Sequence, residues 1–146
     1  MLILNQPVHY VLELTPECNN RCTGCGAIFT DKNDSFLSSV QWKEVLTKIT
    51  PHSANLRISG GEPTLHSEFA DILNFISKMN VSFSLFTNAR WKNPDEIIRL
   101  LSNIPNRKDL LISLHGASPD IHDSFTGVTG SFAETVQNIR FAINAG

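Results

Sequence analysis

The stretch NLRISGGEP, residues 55–63, is followed at residues 67–79 by SEFADILNFISKM, and these two segments decide the fold. The first has the pattern of a short strand that runs into a turn, because aliphatic and β-branched residues lead into a glycine pair and a proline. The second is typical of an amphipathic helix whose apolar side carries Phe69, Ile72, Leu73 and Ile76. Together they predict a strand, a turn and a helix.

The same unit recurs on both sides of this stretch. Further strands are predicted at residues 8–14, 81–87 and 109–114. A helix capped by Ser38 or Ser39 should follow the first strand and run to about residue 50. Another should follow the third strand with Pro94 in its first turn.

The last helix is predicted to begin at a cap on Ser131, with Glu134 three residues later completing a capping box. Four strand–helix units in series indicate an α/β fold with parallel strands, right-handed crossovers and a helix layer over the sheet.

The carboxyl ends of parallel strands lie on one edge of such a sheet, and functional groups gather there. The loops that leave the four predicted strands carry Cys18, Gly60, Asn88 and His115. We therefore expect residues that are far apart in the chain to meet on one rim.

The three cysteines of the chain, Cys18, Cys22 and Cys25, fall within eight residues in a polar, turn-forming loop. Clustered loop thiols are typical of a metal site. A cubane iron–sulfur cluster held by three thiolates keeps one iron open for an outside ligand, whereas structural zinc takes four protein ligands. His9 or a later histidine could complete a zinc site, so zinc stays open as an alternative. The odd count argues against a disulfide framework.

Size and charge narrow the functional classes. The chain has 146 residues, a net charge of -2 and a pI near 6.2. These values fit one domain and predict no nucleic-acid partner. The apolar runs are shorter than the roughly 20 residues that a bilayer requires, so no membrane association is expected. We expect a protein of the reducing cytoplasm.

The Cys-x3-Cys-x2-Cys loop, followed about 35 residues later by a strand that ends in Gly-Gly-Glu-Pro, resembles the radical S-adenosylmethionine superfamily. The segment from Ser113 through His122 to Phe132 is similar to its SPASM/twitch and molybdopterin-type branch. The resemblance covers nearly the whole chain. It implies a partial (βα) TIM-type barrel, with about four of the six strand–helix units of such a core. Residues 1–146 would then form an incomplete core domain.

The resemblance implies roles for named residues. Cys18, Cys22 and Cys25 would hold a 4Fe-4S cluster, and the methionine end of S-adenosylmethionine would chelate the fourth iron. Gly60 and Gly61 would let the backbone approach this cofactor closely. Further along the same turn, the Glu62 carboxylate and neighbouring carbonyls would bind the methionine ammonium, and Pro63 would stiffen the bend.

Other positions are assigned more loosely. Asn88 and Ser113 end predicted strands, where relatives often contact the ribose or methionine end of the cofactor, although loop capping explains them equally. His115 is either a residue of the substrate pocket or a structural histidine. Arg57 and Arg90 either meet carboxylates at the rim or are solvated.

One position departs from the family pattern. The residue before the third cysteine is commonly aromatic and packs on the adenine, whereas this chain has Gly24. Ala27, Ile28 or Phe29 could take over that contact, or the last two could serve the core.

The implied reaction begins when an electron donor such as flavodoxin or ferredoxin reduces the cluster. Reductive cleavage of S-adenosylmethionine then gives methionine and a 5'-deoxyadenosyl radical, which abstracts hydrogen from a peptide, protein or small molecule. No catalytic side chain is assigned.

The open edge of the fourth strand predicts possible oligomerisation. Two alternatives remain: a small glycyl-radical activating enzyme of the ribonucleotide reductase activase type, and a non-catalytic iron–sulfur or zinc module.

Overall fold

A computed structural model describes residues 9–26, 36–52 and 55–145 of the chain. Within them, four parallel strands form one sheet in the order β1-β2-β3-β4, which confirms the predicted α/β architecture. The strands are β1 Tyr10–Glu13, β2 Asn55–Ser59, β3 Ser82–Thr87 and β4 Arg107–Ile112.

The helices of the described residues follow the strands in the predicted order. Each crossover from one strand to the next carries one of the first three helices, and two helices follow β4. Their bounds are α1 Ser39–Ile49, α2 Phe69–Ile76, α3 Pro94–Ser102, α4 Pro119–Thr126 and α5 Ser131–Ala145, with short 3-10 turns at Thr50–His52 and Pro63–Leu65. The partial (βα) barrel is therefore present.

One face of the sheet makes the core. The register aligns Leu12, Ile58, Leu85 and Leu110 in a row across the four strands. Strand residues alternate between faces, so this row, together with the residues two positions away along each strand, points towards the helices. The core includes Leu12, Leu46, Leu56, Ile58, Ile72, Leu73, Phe83, Leu85 and Leu101.

The opposite face of the sheet is open among the described residues. Val11 on β1 is 53% exposed and Leu111 on β4 is 41% exposed. Apolar strand residues of this kind would face the interior if further strands closed a barrel.

The sequence located α1 correctly and misplaced the start of α5. Ser38 caps α1 in a reciprocal capping box with Gln41. The predicted cap at Ser131 is wrong, because Ser131 is the first residue inside α5. Asp123 caps that helix instead: its carboxylate accepts hydrogen bonds from the backbone N–H groups of Gly130 and Phe132 at 2.6 and 2.8 Å.

Two further differences concern the segment around β4. The strand spans Arg107–Ile112 instead of residues 109–114, because its pairing with β3 begins earlier, with Phe83 opposite Arg107 and an irregularity before Ser84. The helix α4 was not predicted.

None of the described helices is long and apolar enough to cross a bilayer.

Candidate functional site

The loops at the carboxyl ends of the strands enclose a cavity of about 310 Å³. Most of the residues expected on the rim line it, although they lie up to about 100 positions apart in the chain, as parallel strands permit. The predicted residues in its wall are Cys18, Cys22, Gly24, Cys25, Gly60, Gly61, Asn88, Ser113 and His115. The wall residues that the sequence did not suggest are Asn20, Ser59, Phe86, Thr87 and Phe125.

A larger groove of about 470 Å³ lies between α2 and α3 and contains none of the thiols. Its walls carry side chains such as Lys92, Glu96 and Arg99, and the wall residues that the structure describes include no cluster of metal-ligating groups. The chemistry of the lining, and not the volume, therefore singles out the rim cavity as the candidate site.

Backbone hydrogen bonds join the thiol loop to the loop after β2. Gly61 N–H donates to the Thr15 carbonyl at 2.7 Å, and Glu62 N–H donates to the Glu17 carbonyl at 2.7 Å. These bonds continue the β1–β2 pairing past the strand ends, so the first cysteine leaves the sheet in a fixed direction.

This pairing explains why residues 60 and 61 are glycines. Gly60 has a φ of 138°, and a Cβ there would lie 2.6 Å from the Thr15 carbonyl oxygen. A Cβ on Gly61 would lie 2.6 Å from the Pro16 carbonyl oxygen. A side chain at either position would push the thiol loop away. Within the chain, the two glycines therefore allow a close approach of two loops. Their expected close approach to the cofactor stays a prediction.

The other side of the thiol loop rests on the end of α4. Arg21 N–H donates to the Thr126 carbonyl at 2.7 Å, and Thr23 N–H donates to the Phe125 carbonyl at 2.8 Å. α4 therefore helps to shape the cysteine loop. A sequence signal for it existed, since Pro119 occupies the first turn and Gly127 ends the helix at a φ of 66°.

Glu62 is fully buried, and its carboxylate lies outside the cavity wall. It accepts hydrogen bonds from the Thr64 hydroxyl at 2.6 Å, the Thr87 hydroxyl at 2.8 Å and the Asn88 backbone N–H at 2.7 Å. Burial raises the pKa of Glu62, and these donors oppose the shift. The carboxylate thus joins the loop after β2 to the end of β3. Pro63, also buried, begins the 3-10 turn Pro63–Leu65 beside it.

The Asn88 side chain points towards the thiol loop. Its Nδ2 donates to Asn19 Oδ1 at 2.7 Å and lies 3.7 Å from Cys18 Sγ, within hydrogen-bonding range of sulfur. Its Oδ1 accepts from the Arg90 backbone N–H at 2.8 Å. Ser113 continues the strand pairing, because its N–H donates to the Thr87 carbonyl at 3.0 Å.

Arg90 braces the same loop from the other direction. Its Nη1 donates to the Asn19 carbonyl at 2.7 Å and to Asn20 Oδ1 at 2.8 Å. Its Nε pairs with Glu134 on α5 at 2.8 Å, so the expected carboxylate partner exists. Arg57 is different: it lies on the open face of the sheet, with its guanidinium 5.8 Å from the ring centre of Phe86.

The thiols influence one another electrostatically. Burial raises the pKa of Cys18, and hydrogen bonds from the Asn20 N–H and the Asn88 amide act in the opposite direction. Burial also raises the pKa of Cys22, and the proximity of Cys18 and Cys25 adds to the shift. Metal binding at such a site must displace thiol protons.

Among the described residues, no group of three or more His, Cys, Asp or Glu side chains converges on one point that could hold a single metal ion. The three thiols nevertheless share one cavity wall. Thiolates that each bind a different iron need not converge on one point, whereas the ligands of a tetrahedral zinc ion must. Three thiols from one loop are a donor set that fits a cluster with one open iron.

His115 and Phe125 line the cavity, and the buried His122 contacts His115 without being part of the wall. The His115 ring stacks on Phe125 with 4.1 Å between ring centres, and the His115 backbone N–H donates to His122 Nδ1 at 3.1 Å. Burial lowers the pKa of His122, the nearby His115 lowers it further, and Asp123 opposes the shift.

The residues expected near an adenine, Ala27, Ile28 and Phe29, lie outside the described residues.

A family model described as the Radical SAM superfamily matches residues 12–146. The chain therefore belongs to the radical SAM superfamily, which confirms the resemblance that its motifs suggested.

Relatives of the chain include one named as a maturation protein and one named as a maturase. The chain is 32% identical over 136 residues to the sporulation killing factor maturation protein SkfB of Bacillus subtilis (strain 168), covering 92% of this chain and 32% of that protein. It is 28% identical over 144 residues to the mycofactocin maturase MftC of Mycolicibacterium smegmatis, covering 98% of this chain and 36% of that protein. The chain thus spans about a third of the length of these relatives.

The fold is also found in solved structures. The structure of Streptococcus suis SuiB bound to precursor peptide SuiA superposes with a TM-score of 0.84 at 18% sequence identity, covering 99% of this chain and 32% of SuiB. At that identity the likeness concerns the fold alone.

Proposed function

We propose that this chain forms the cofactor-binding part of a radical SAM enzyme core, in which Cys18, Cys22 and Cys25 hold a 4Fe-4S cluster that binds S-adenosylmethionine. One observation carries the proposal: the three thiols share a cavity with residues from the ends of three further strands. Residues 1–146 would be an incomplete core domain, since the relatives are about three times longer.

When bound, the cluster and S-adenosylmethionine supply the one-electron cleavage of a carbon–sulfur bond and a 5'-deoxyadenosyl radical for hydrogen abstraction. The protein's own residues supply position. Gly60 and Gly61 hold the thiol loop against the loop after β2, and Glu62 fixes the end of β3 beside it. Ser113 and Asn88 stand in the cavity wall, where cofactor contacts are expected.

We propose a peptide as the substrate class, because relatives of the chain are named as a maturation protein and a maturase, and SuiB, which shares the fold, is described as bound to a precursor peptide. The open face of the sheet offers apolar side chains such as Val11 and Leu111 on which part of a substrate could rest. An electron donor such as flavodoxin or ferredoxin would reduce the cluster. The need for reduced thiols supports the expected cytoplasmic location, and pairing at the open sheet edge remains a proposal.

Anaerobic reconstitution of the full chain with iron and sulfide tests the proposal. We expect a 4Fe-4S electron paramagnetic resonance (EPR) signal after reduction, a change of that signal when S-adenosylmethionine is added, and production of 5'-deoxyadenosine with dithionite. Cys22→Ser should lose all three, whereas the exposed Ser102→Ala on α3 should keep them. Bound zinc, or a cubane that ignores S-adenosylmethionine, would contradict the proposal. A stable cluster that yields no 5'-deoxyadenosine would favour a non-catalytic carrier.

The substrate class needs a separate measurement. Candidate precursor peptides with deuterated side chains can be added to the reconstituted protein, and the deuterium content of 5'-deoxyadenosine measured. Transfer of deuterium from a peptide supports the proposed class. If the further strand–helix units that we propose for the core are needed, the same assay on a chain that includes such units should give transfer where the 146-residue chain does not.

A further inference from the structure

Asn88 is held in place by three neighbours at the end of β3. Its backbone N–H donates to Glu62 Oε2 at 2.7 Å, and its carbonyl accepts from the Thr135 hydroxyl at 3.0 Å. Its side-chain Oδ1 accepts from the Arg90 N–H at 2.8 Å. A side chain whose backbone and oxygen are both committed has little freedom to rotate.

The direction of the Asn88 amide group follows from these contacts. Because a backbone N–H faces Oδ1, the nitrogen end must be the end that faces the thiol loop. There Nδ2 meets two acceptors, Asn19 Oδ1 at 2.7 Å and Cys18 Sγ at 3.7 Å. The Asn19 amide in turn donates to the Arg90 carbonyl at 2.8 Å, which closes the arrangement.

The sulfur of Cys18 receives a second donor. The backbone N–H of Asn20 lies 3.4 Å from it. Two N–H dipoles therefore point at one thiol of the candidate cluster site. Hydrogen bonds to cluster sulfurs are among the features that set the reduction potential of an iron–sulfur protein.

We propose that Asn88 is a positioning residue that donates a hydrogen bond to the Cys18 thiolate and thereby raises the reduction potential of the cluster. This inference rests on the proposed function and departs from the cofactor contact that the sequence suggested for Asn88. The reduced cluster carries one more negative charge than the oxidised one, so a donor to its sulfur ligand stabilises the reduced form more.

Redox titration of the reconstituted full chain, followed by the EPR signal of the reduced cluster, tests the proposal. Asn88→Ser removes the amide donor, and Asn88→Asp replaces it with a carboxylate. We expect a lower potential for the serine variant and a still lower one for the aspartate variant. A tenfold change in the equilibrium for one-electron uptake corresponds to about 59 mV. Asn103→Asp, which adds the same charge at an exposed site on the end of α3, should leave the potential unchanged.

A measurement on the unsubstituted protein guards against variants that fail to bind a cluster. Protein labelled with 15N only in asparagine side chains should show a 15N hyperfine coupling in the pulsed EPR spectrum of the reduced cluster. An unshifted potential in Asn88→Ser, a shift in the aspartate variant alone, or the absence of any 15N coupling would overturn the proposal.

These outcomes are distinguishable from failure of the proposed function. If the unsubstituted chain assembles no S-adenosylmethionine-responsive cubane, the proposed function fails first. If it assembles one and cleaves the cofactor, an unshifted potential in the Asn88→Ser variant refutes only the role of Asn88.

Discussion

Removing the Glu62 carboxylate should destabilise the metal-free protein, because this group joins two of the loops that form the candidate site. Glu62 is fully buried and accepts hydrogen bonds from Thr64, Thr87 and the Asn88 N–H. The Asn88 N–H is also buried, so it has no water to turn to when the acceptor is lost.

The size of the effect follows from the donors left behind. In Glu62→Ala, the Asn88 N–H and the Thr87 hydroxyl both lose their acceptor, and each unsatisfied buried donor costs about 1–3 kcal/mol. We therefore expect a loss of about 4 kcal/mol in the free energy of unfolding, or about 12 °C in Tm for a domain of this size. Glu62→Gln keeps one acceptor oxygen and can turn its amide towards the half-buried Thr64, so about 1.5 kcal/mol is expected.

The assay is urea unfolding of the iron-free protein, read by circular dichroism, with Glu44→Gln on the exposed side of α1 as the matched control. The control should change the free energy of unfolding by less than about 0.5 kcal/mol. Hydrogen exchange should also show that the Asn88 amide loses protection in Glu62→Ala. A loss below about 1 kcal/mol in Glu62→Ala, or protection of the Asn88 amide equal to that of the unsubstituted protein, would refute the reasoning.

The contribution of Glu62 to the free energy of unfolding should also depend on pH. Because burial raises the pKa of Glu62, the folded state holds this proton more tightly than the unfolded state. The contribution to stability is therefore complete below the unfolded pKa and is lost as pH rises through the folded pKa. The stability difference between the unsubstituted protein and Glu62→Gln should shrink over that window as pH increases.

Three further predictions concern the neighbouring loops. Gly61→Ala places a Cβ 2.6 Å from the Pro16 carbonyl oxygen and should lower the free energy of unfolding by about 2 kcal/mol in urea titrations, whereas Gly26→Ala, with open space around it, should not. In Arg90→Lys, the lysine cannot make all the hydrogen bonds that Arg90 makes to the thiol loop and to Glu134, so tryptic cleavage at Arg21 should become faster. The exposed Arg99→Lys is the control. Equal cleavage rates in the two variants would contradict the role of Arg90 in bracing the loop. The pKa of His122 is lowered in the folded state, so the unfolded state binds the proton more tightly, and stability should fall as pH drops below the unfolded value near 6.5. In thermal unfolding measured from pH 8 to 5, His122→Gln should show a smaller fall.

The sequence predicted the fold well wherever local patterns and tertiary packing agree. The aliphatic and β-branched residues that predicted the second strand form β2, and Pro94 lies in the first turn of α3 as predicted. Prediction from the sequence failed where polar segments fold against the rest of the chain. The helix α4 has only eight residues, and Ile121 and Phe125 are its large apolar side chains, which is too short a run for a repeating pattern. Asp123 caps α5 from seven or more residues away, which no local capping pattern reveals.

Most residues of the cavity wall were predictable from the sequence, whereas the contacts that these residues make with one another were not. The rule that loops meet at the carboxyl ends of parallel strands brought Gly60, Asn88 and Ser113 to the thiols. The direction of each side chain depends on which donors the neighbouring loops present, and these are set by tertiary structure. Glu62 turns inwards because Thr87 and Asn88 offer buried donors, and Asn88 turns to Cys18 because Arg90 occupies its oxygen.

The same contacts explain a strained residue at the end of β3. Ala89 has a φ of 57°, a conformation that costs a non-glycine residue about 1 kcal/mol or more. Its carbonyl accepts from Asn138 Nδ2 at 2.7 Å, and the preceding carbonyl accepts from Thr135, so α5 holds the chain in this turn. The turn is what aims Asn88 at Cys18 on one side and Arg90 at Glu134 on the other. The geometry of the cysteine loop therefore depends on a helix more than 100 residues further along the chain, and the last strand–helix unit present is part of the site.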